Sequence, residues 1–189
     1  FIFQHGGGYG YNFSLDESYL NEICDHFLTW GWSSKRKAYK KFYSIKLSSN
    51  FKHTPKNSSN ILLSLHSCHK YSHMPVSKSK NSFDRVKKLC DFIHLSEGIQ
   101  GYNLTVRYLS QLNKSYGIDE YDKYFKKKIS VDYGEVKFKK ILNNYNLVIH
   151  DALETVFLET IAYNVPTIVL VRDYEYQIIN SFDNDFNKL

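Results

Sequence analysis

The chain has 189 residues, of which 42% are hydrophobic and 16% aromatic, and this composition excludes an intrinsically disordered protein. No apolar run in the sequence reaches the roughly 18 residues that a membrane-spanning helix needs, so we expect no transmembrane segment. Much of the formal net charge of +6 comes from short lysine-rich runs. Such runs suit nucleotides, lipid phosphates or nucleic acid, and they equally suit a solvated surface without a partner.

Two features of the sequence concern the setting in which the chain works. It begins with Phe1 inside an apolar run and ends at Leu189 without a stop signal, so we expect an internal piece of a longer protein. The three cysteines are odd in number and widely spaced. This pattern favours a reducing cytoplasmic compartment over a disulfide framework.

Strands and helices alternate along the predicted chain. The predicted strands are residues 1–4, 27–30, 61–65, 104–109, 146–150 and 167–171. The predicted helices are residues 14–25, 82–95, 136–143 and 151–163. Ser14 and Glu17 fit a capping box for the first helix, Ser82 caps the second, and Asp151 caps the last. The stretches predicted to be irregular are residues 33–59, 66–80 and 113–133, the last with a short helix near 121–127.

The C-terminal third has the clearest pattern. The strand NLVIH at residues 146–150 leads into a helix that Asn164 can end in a left-handed conformation. The strand TIVLV at residues 167–171 shows no polar alternation, as expected when both faces of a sheet are covered. A strand, a helix and a strand in so few residues predict a right-handed βαβ unit with a parallel sheet.

The glycine-rich turn QHGGGYG at residues 4–10 is the first candidate site. Glycine lets backbone N–H groups approach a ligand closely, and His5 at the end of the strand suits a general base or a phosphate hydrogen-bond donor. The alternative is a tight strand-to-helix turn that the histidine merely caps. The turn is neither a GxGxxG fingerprint nor a P-loop, so a Rossmann dehydrogenase and a P-loop NTPase are not expected.

The helix start after the strand at residues 146–150 is the second candidate site. The first turn of a helix offers free N–H groups and the positive end of the helix dipole. Thr155 can donate a hydrogen bond to a phosphate or sugar oxygen, and Glu159 can accept from sugar hydroxyls. On the alternative interpretation Glu154 belongs to a capping box and Glu159 is a surface charge.

Four segments are expected beyond the carboxyl ends of parallel strands, where open α/β sheets bind ligands. They are residues 5–10, 30–32, 66–73 and 150–155. His66, Cys68, His69 and His73 invite a metal interpretation, but their spacing matches no common zinc pattern, so a merely histidine-rich loop is preferred. Trp30 and Trp32 could stack on a base or sugar, or be buried. Arg107 could bind a phosphate or lie on the surface.

The motifs HGG-YG (5–10), TWGW (29–32) and T-x-x-x-E-x-x-x-x-N-x-P-T (155–167) occur in an order that resembles bacterial surface-polysaccharide transferases of the O-antigen type. These resemble GT-B glycosyltransferases and, more remotely, CDP-glycerol glycerophosphotransferases. The chain departs from their pattern at the third glycine, Gly8, and at DALE (151–154), where acidic side chains would repel a phosphate.

The resemblance implies an α/β fold of the GT-B kind, with Rossmann-like parallel sheets flanked by helices. Residues 1–32 would be the tail of an N-terminal domain, 33–59 a basic linker, and 60–189 a C-terminal nucleotide-binding domain. The site residues it implies are His5 as the catalytic group and Gly6, Gly7, Arg107, Thr155 and Glu159 as substrate- or nucleotide-binding residues.

The function expected from the resemblance is transfer of a sugar or related group in the synthesis of a cell-surface polysaccharide. The expected partners are a nucleotide-sugar donor and a glycan or lipid-linked acceptor, with peripheral contact to the inner membrane through the basic runs and no nucleic acid. No cofactor or metal is expected, because no DxD carboxylate pair stands at a predicted strand end. The alternatives are a non-catalytic domain that binds nucleotides or nucleic acid and a sugar-nucleotide epimerase.

Overall fold

The computed structural model describes residues 1–10, 15–33, 38–48, 52–55, 59–65, 79–96, 99–108 and 129–170. The chain forms two compact units. The described parts of the first unit lie within Phe1–Lys52 and Leu153–Tyr163, and those of the second lie within His53–Ala152 and Asn164–Leu170. Each unit contains one sheet of parallel strands.

The first unit is built on a three-stranded parallel sheet of order β1-β2-β3. Its strands are β1 (Ile2–Phe3), β2 (Phe27–Trp30) and β3 (Tyr39–Phe42), and helix α1 (Leu15–Ile23) connects the first two. The central strand β2 is the most deeply buried, because Phe27 and Thr29 are fully inaccessible to solvent. The Phe27 ring packs against Tyr39 from β3, at 5.4 Å between ring centroids.

The second unit is built on a five-stranded parallel sheet of order β6-β5-β4-β7-β8. The strands are β4 (Asn60–Ser64), β5 (Asn103–Arg107), β6 (Ser130–Asp132), β7 (Leu147–His150) and β8 (Thr167–Val169). The described helices between them in the sequence are α2 (Ser79–Ser96), α3 (Phe138–Ile141), followed by a 3₁₀ turn, and α4 (Thr155–Ala162). Of these, α4 belongs to the first unit. This strand order is consistent with a Rossmann-like fold, in which the connections run outward in both directions from the central strand β4.

The core of the second unit lies between α2 and the sheet. Leu89, Cys90 and Ile93 of α2 pack with Leu63 of β4 and Val106 of β5, and all five are buried. Burial, helped by the charge of Asp91, raises the pKa of the Cys90 thiol to about 11. Cys90 is therefore a packing residue and not a reactive thiolate at neutral pH. Among the described helices, none is long and apolar enough to cross a membrane.

The structure confirms the six predicted strands to within one or two residues at the ends that it describes, and it confirms the C-terminal βαβ unit. Strands β7 and β8 pair in parallel on either side of α4 in the sequence. Asn164 has the predicted left-handed backbone, with a φ of 54°. The expectation of an α/β protein with parallel sheets flanked by helices is therefore correct.

Two strands were missed, and both lie at an edge of their sheet. β3 falls within the stretch 33–59 that the sequence analysis interprets as a linker, and β6 falls within 113–133. Edge strands pair on one side only, so they need less apolar sequence than central strands. In β3 only Tyr39 is buried, while Lys40 and Lys41 are exposed. The sequence of this segment therefore has the polar pattern that is typical of a linker.

Two helix starts also differ from the predictions. Helix α2 begins at Ser79 and not at Ser82. Helix α4 begins at Thr155, four residues after the predicted cap at Asp151. Glu154 is the residue before the helix, and its side chain makes no capping hydrogen bond. The capping box predicted for the first helix stays a prediction, because Ser14 lies outside the described residues. The Glu17 carboxylate has other partners, which are described below.

His150 at the end of β7 should make stability depend on pH. Burial lowers its pKa from the ordinary 6.5 to about 4, so the unfolded chain takes up a proton at a higher pH than the folded one. The contribution of neutral His150 to the free energy of unfolding is complete above pH 6.5, and it is lost as the pH falls towards 4. We expect the free energy of unfolding to drop by about 2 kcal/mol between pH 7 and pH 5 from this group.

Urea denaturation at the two pH values measures this drop, and His150→Asn is the matched control. The variant cannot titrate at this position, so its drop should be smaller than that of the unchanged chain by the same amount. Equal drops in both proteins would show that His150 does not carry the dependence.

Candidate functional site

The glycine turn after β1 lies directly against the start of helix α4, within the first unit. The backbone N–H of Gly7 donates a hydrogen bond to Oγ1 of Thr155, at 2.9 Å. These residues are 148 positions apart in the sequence. The structure therefore brings together Gly6, Gly7 and Thr155, which the sequence analysis places at two separate candidate sites.

Gly6 and Gly7 are required by this close approach. A Cβ atom on Gly7 would lie 2.7 Å from the carbonyl carbon of Glu154 and 2.7 Å from the backbone nitrogen of Thr155. A Cβ atom on Gly6 would lie 2.9 Å from Oγ1 of Thr155. Gly7 therefore serves a backbone-to-backbone contact, whereas Gly6 leaves room for the Thr155 side chain. A role in substrate binding stays a prediction for both.

The turn is held in place by Gln4, a buried residue that the sequence analysis did not single out. Its Oε1 atom accepts hydrogen bonds from the backbone N–H of Trp30 at 2.9 Å and from Nε1 of Trp32 at 2.8 Å. Its Nε2 atom donates to the carbonyl oxygen of Gly6 at 2.8 Å. One amide side chain thus ties the ends of two strands to the start of the turn.

The far end of the turn is held by Glu17 of α1, another residue whose role the sequence did not reveal. Its carboxylate accepts from the backbone N–H of Gly10 at 2.9 Å and from the hydroxyl of Tyr39 at 2.7 Å, and the side chain is buried. Gly10 has a φ of 87°, and a Cβ atom there would lie 2.9 Å from the Trp32 indole. Only glycine fits this position. Trp32 packs against Gly10 and is partly buried.

His5 is exposed at the start of the turn. Its Nδ1 atom is hydrogen-bonded to the Tyr9 hydroxyl at 2.9 Å, and the two rings meet edge to face at 5.2 Å. Tyr9 in turn packs on Phe27 of the central strand, at 5.6 Å between ring centroids. The imidazole is therefore oriented by a side chain that rests on the core, while it stays open to solvent.

A cleft of about 270 Å³ opens beside His5. It is lined by Phe3, Gln4, His5, Leu28, Trp30, Tyr43, Ile45 and Lys46, all from the first unit. Most of these side chains are apolar or aromatic, and Lys46 is the cation among them. Trp30 lines this cleft and Trp32 does not, and stacking of either on a base or sugar stays a prediction.

Glu159 lies on α4 and forms an ion pair with Lys46. The ammonium nitrogen is 3.2 Å from Oε1 of Glu159. The Glu159 side chain is 12% exposed and the Lys46 side chain 51% exposed. Glu159 is therefore not a solvated surface charge. Its partner in the structure is a lysine of the cleft, and contact with a sugar stays a prediction.

Arg107 lies in the second unit and is bound by neighbouring protein groups. The guanidinium forms an ion pair with Asp132 of β6 and donates to the carbonyl oxygen of Val136 at 2.6 Å. It also lies over the Phe138 ring, 5.7 Å from the centroid. Because the residue is only 8% exposed, its evident role is to join β5, β6 and α3. The prediction that it binds phosphate is not tested.

The carboxyl ends of three strands in the second unit carry polar residues in register. Ser64 of β4 is paired with Arg107 of β5 on one side and with His150 of β7 on the other. Asp151 follows His150, and its backbone N–H donates to the Ser64 carbonyl at 3.4 Å. All four of these residues are buried. This edge contains the switch point between β4 and β7, where α/β sheets of this order bind ligands.

Three of the four segments expected at the carboxyl ends of strands are described, and they divide between two sheets. Residues 5–10 and 30–32 follow strands of the three-stranded sheet, whereas residues 150–155 follow β7 of the five-stranded sheet. The histidine-rich segment 66–73 lies outside the described residues. Among the residues that are described, no group of three or more His, Cys, Asp or Glu side chains could hold a metal ion.

The structure is that of an α/β protein with parallel sheets, in which the backbone of the glycine turn lies close to the start of α4. A sequence model of the LIC12162 family transferase matches residues 1–189, and the chain belongs to that family. It is therefore a member of a transferase family. No curated protein matches the chain at a significant level.

The close contact between the turn and α4 predicts different behaviour for two glycine substitutions. Gly6→Ala and Gly7→Ala should each lower the free energy of unfolding by about 1–3 kcal/mol through steric overlap. In a Thr155→Ala background the effect of Gly6→Ala should shrink by about 1 kcal/mol or more, because its Cβ meets only the removed hydroxyl at short range. The effect of Gly7→Ala should persist, because its Cβ meets backbone atoms.

Urea denaturation of the single and double variants measures these couplings. The contrary result is that Thr155→Ala reduces the destabilisation by both glycine substitutions equally. That result would show that backbone atoms of Glu154 and Thr155 are not what excludes a Cβ atom on Gly7.

The hydrogen bond from Gly7 predicts that an oxygen at position 155 stabilises the first unit. Thr155→Val keeps the shape of the side chain but leaves the Gly7 N–H without its acceptor, so we expect a loss of about 1–2 kcal/mol in unfolding free energy. Thr155→Ser keeps the oxygen and should lose clearly less. Thermal or urea denaturation compares the two, and equal losses would contradict the role of the hydrogen bond.

Proposed function

We propose that the chain is part of a GT-B-type glycosyltransferase that transfers a sugar from a nucleotide-activated donor during synthesis of a cell-surface polysaccharide. Membership of a transferase family supports the reaction type. The observation that carries the proposal is the glycine turn held against α4, with His5 exposed beside a cleft that contains Lys46. This arrangement combines a base, a cation and a rigid backbone at one place.

The five-stranded sheet supports a nucleotide as the activating group. Its strand order puts the switch point between β4 and β7, and sheets of this order bind nucleotides beyond that point. Ser64, His150 and Asp151 lie there. This edge of the second unit is therefore suited to a nucleotide.

The chemistry proposed for His5 is general base catalysis. The acceptor hydroxyl would lose its proton to the imidazole while its oxygen bonds to the anomeric carbon of the donor sugar. The bond from that carbon to the phosphate oxygen breaks, and the nucleotide leaves with the bonding electrons. In the tautomer that acts as a base, Nδ1–H donates to the Tyr9 hydroxyl and Nε2 accepts the proton of the substrate. This hydrogen bond fixes the ring, so the base is oriented before the substrate arrives.

Removal of the imidazole is the direct test. His5→Ala should lower kcat by about 10²–10⁴-fold with any nucleotide sugar that the protein uses, because a positioned base contributes this much. A panel of CMP-, CDP-, UDP-, GDP- and dTDP-sugars, screened first by thermal shift, identifies the donor. Release of free nucleotide then measures turnover.

The matched control is His26→Ala, which removes a histidine of the same unit that packs on Phe1 and does not line the cleft. It should retain nearly full turnover. The proposal fails if His5→Ala turns over at the unchanged rate. Binding of nucleotides or nucleic acid without any turnover would favour a non-catalytic binding domain, and an isomerised sugar nucleotide as the product would favour an epimerase.

A further inference from the structure

We propose that the cleft beside His5 binds an acceptor whose phosphate carries a hydrocarbon chain, and that Lys46 is the residue that binds this phosphate. The inference rests on the proposed function, since it names the acceptor class of that enzyme. The acceptor is a lipid-linked phosphate and not a free glycan. Neither the sequence around Lys46 nor the family assigns phosphate binding to this residue.

The walls of the cleft are suited to a hydrocarbon chain. Five of its eight lining residues are hydrophobic, namely Phe3, Leu28, Trp30, Tyr43 and Ile45. Three of them are strongly exposed, with relative exposures of 49% for Phe3, 63% for Tyr43 and 66% for Ile45. Adjacent exposed side chains of this size mark a surface that binds an apolar partner, because covering them removes apolar area from water.

The polar groups of the cleft do not suit a free glycan. Sugar hydroxyls are recognised by amide and carboxylate side chains that can pair with them. Gln4 is the amide that lines the cleft, and its oxygen and nitrogen already bind Trp30, Trp32 and Gly6. No carboxylate is among the eight lining residues. A ligand here therefore gains more from apolar contact and charge than from a network of hydroxyl hydrogen bonds.

Lys46 supplies the charge that fits a phosphate. Its ammonium is held at 3.2 Å from the largely buried carboxylate of Glu159, which is carried on α4. An ammonium group has three N–H donors, and an ion pair with one oxygen leaves others for a second anion. The Lys46 side chain remains 51% exposed. Glu159 is thus a positioning residue, and Lys46 presents its remaining donors on the same cleft as His5.

Soluble alkyl phosphates test the inference without any need for the natural acceptor. Hexyl phosphate, inorganic phosphate and the uncharged hexyl glucoside are titrated into the full chain, with tryptophan fluorescence or calorimetry as the readout. We expect hexyl phosphate to bind at least about tenfold more tightly than either of the others, since it alone combines charge and chain. Lengthening the chain from butyl to octyl should strengthen binding about twofold or more per CH₂ group.

Lys46→Met should weaken the binding of hexyl phosphate by about tenfold, whereas Lys46→Arg should restore most of it. The matched control is Lys41→Met, which removes an exposed lysine of β3 that does not line the cleft, and it should bind as the unchanged chain does. If Lys46→Met does not fold, Tyr43→Ser with Ile45→Ser replaces it. That pair should abolish the chain-length dependence and leave the binding of inorganic phosphate unchanged.

The inference is overturned if hexyl glucoside binds as tightly as hexyl phosphate, or if Lys41→Met weakens binding as much as Lys46→Met. It is also overturned if inorganic phosphate binds as tightly as the alkyl phosphates. None of these measurements requires turnover. Failure of the acceptor assignment is therefore distinguishable from failure of the transferase proposal, which the kcat of His5→Ala decides.

Discussion

The hydrogen bond from the Gly7 N–H to the Thr155 hydroxyl is the interaction on which the candidate site depends. It joins the turn after the first strand to the start of α4 across 148 positions of sequence, at a separation that leaves no space for a Cβ atom on Gly7. Without this contact the histidine at the head of the turn would have no fixed relation to Glu159 on the same helix. With it, His5, the cleft and the Lys46–Glu159 pair belong to one compact unit.

The supports of the turn explain how an exposed group can be well oriented. Gln4 and Glu17 are both buried, and each uses its polar atoms on backbone or ring groups next to the turn. Replacing either by an apolar residue would leave several buried donors without acceptors, which costs more than the hydrogen bonds themselves contribute. Such side chains restrict the backbone on both sides of His5, while Tyr9 restricts its ring. Orientation is thereby achieved without burying the imidazole, as the proposed role of His5 as a base requires.

Arg107 and Lys46 differ in burial and in how their charges are paired. Arg107 is buried, and its guanidinium meets a carboxylate, a carbonyl and a ring, so its charge is compensated inside the second unit. Among the described residues, Lys46 is paired with Glu159 alone, and it is half exposed and lines an apolar cleft. Under the proposed function, the second arrangement is the one suited to an incoming anion. A guanidinium that is already paired contributes chiefly to holding β5, β6 and α3 together.

The sequence by itself determined the parallel α/β class, because apolar runs without alternation and a complete strand–helix–strand pattern report burial on both faces of a sheet. It also determined the left-handed end of α4 at Asn164, which is a local backbone property. The tertiary structure alone decided the edge strands β3 and β6, since Tyr39–Phe42 and Ser130–Asp132 become strands through main-chain pairing with distant partners. It likewise decided that Gly7 meets Thr155, that Glu159 meets Lys46 and that Gln4 anchors the turn. Each of these is a contact between positions far apart in the chain, where no local periodicity or capping signal can record which residue lies opposite.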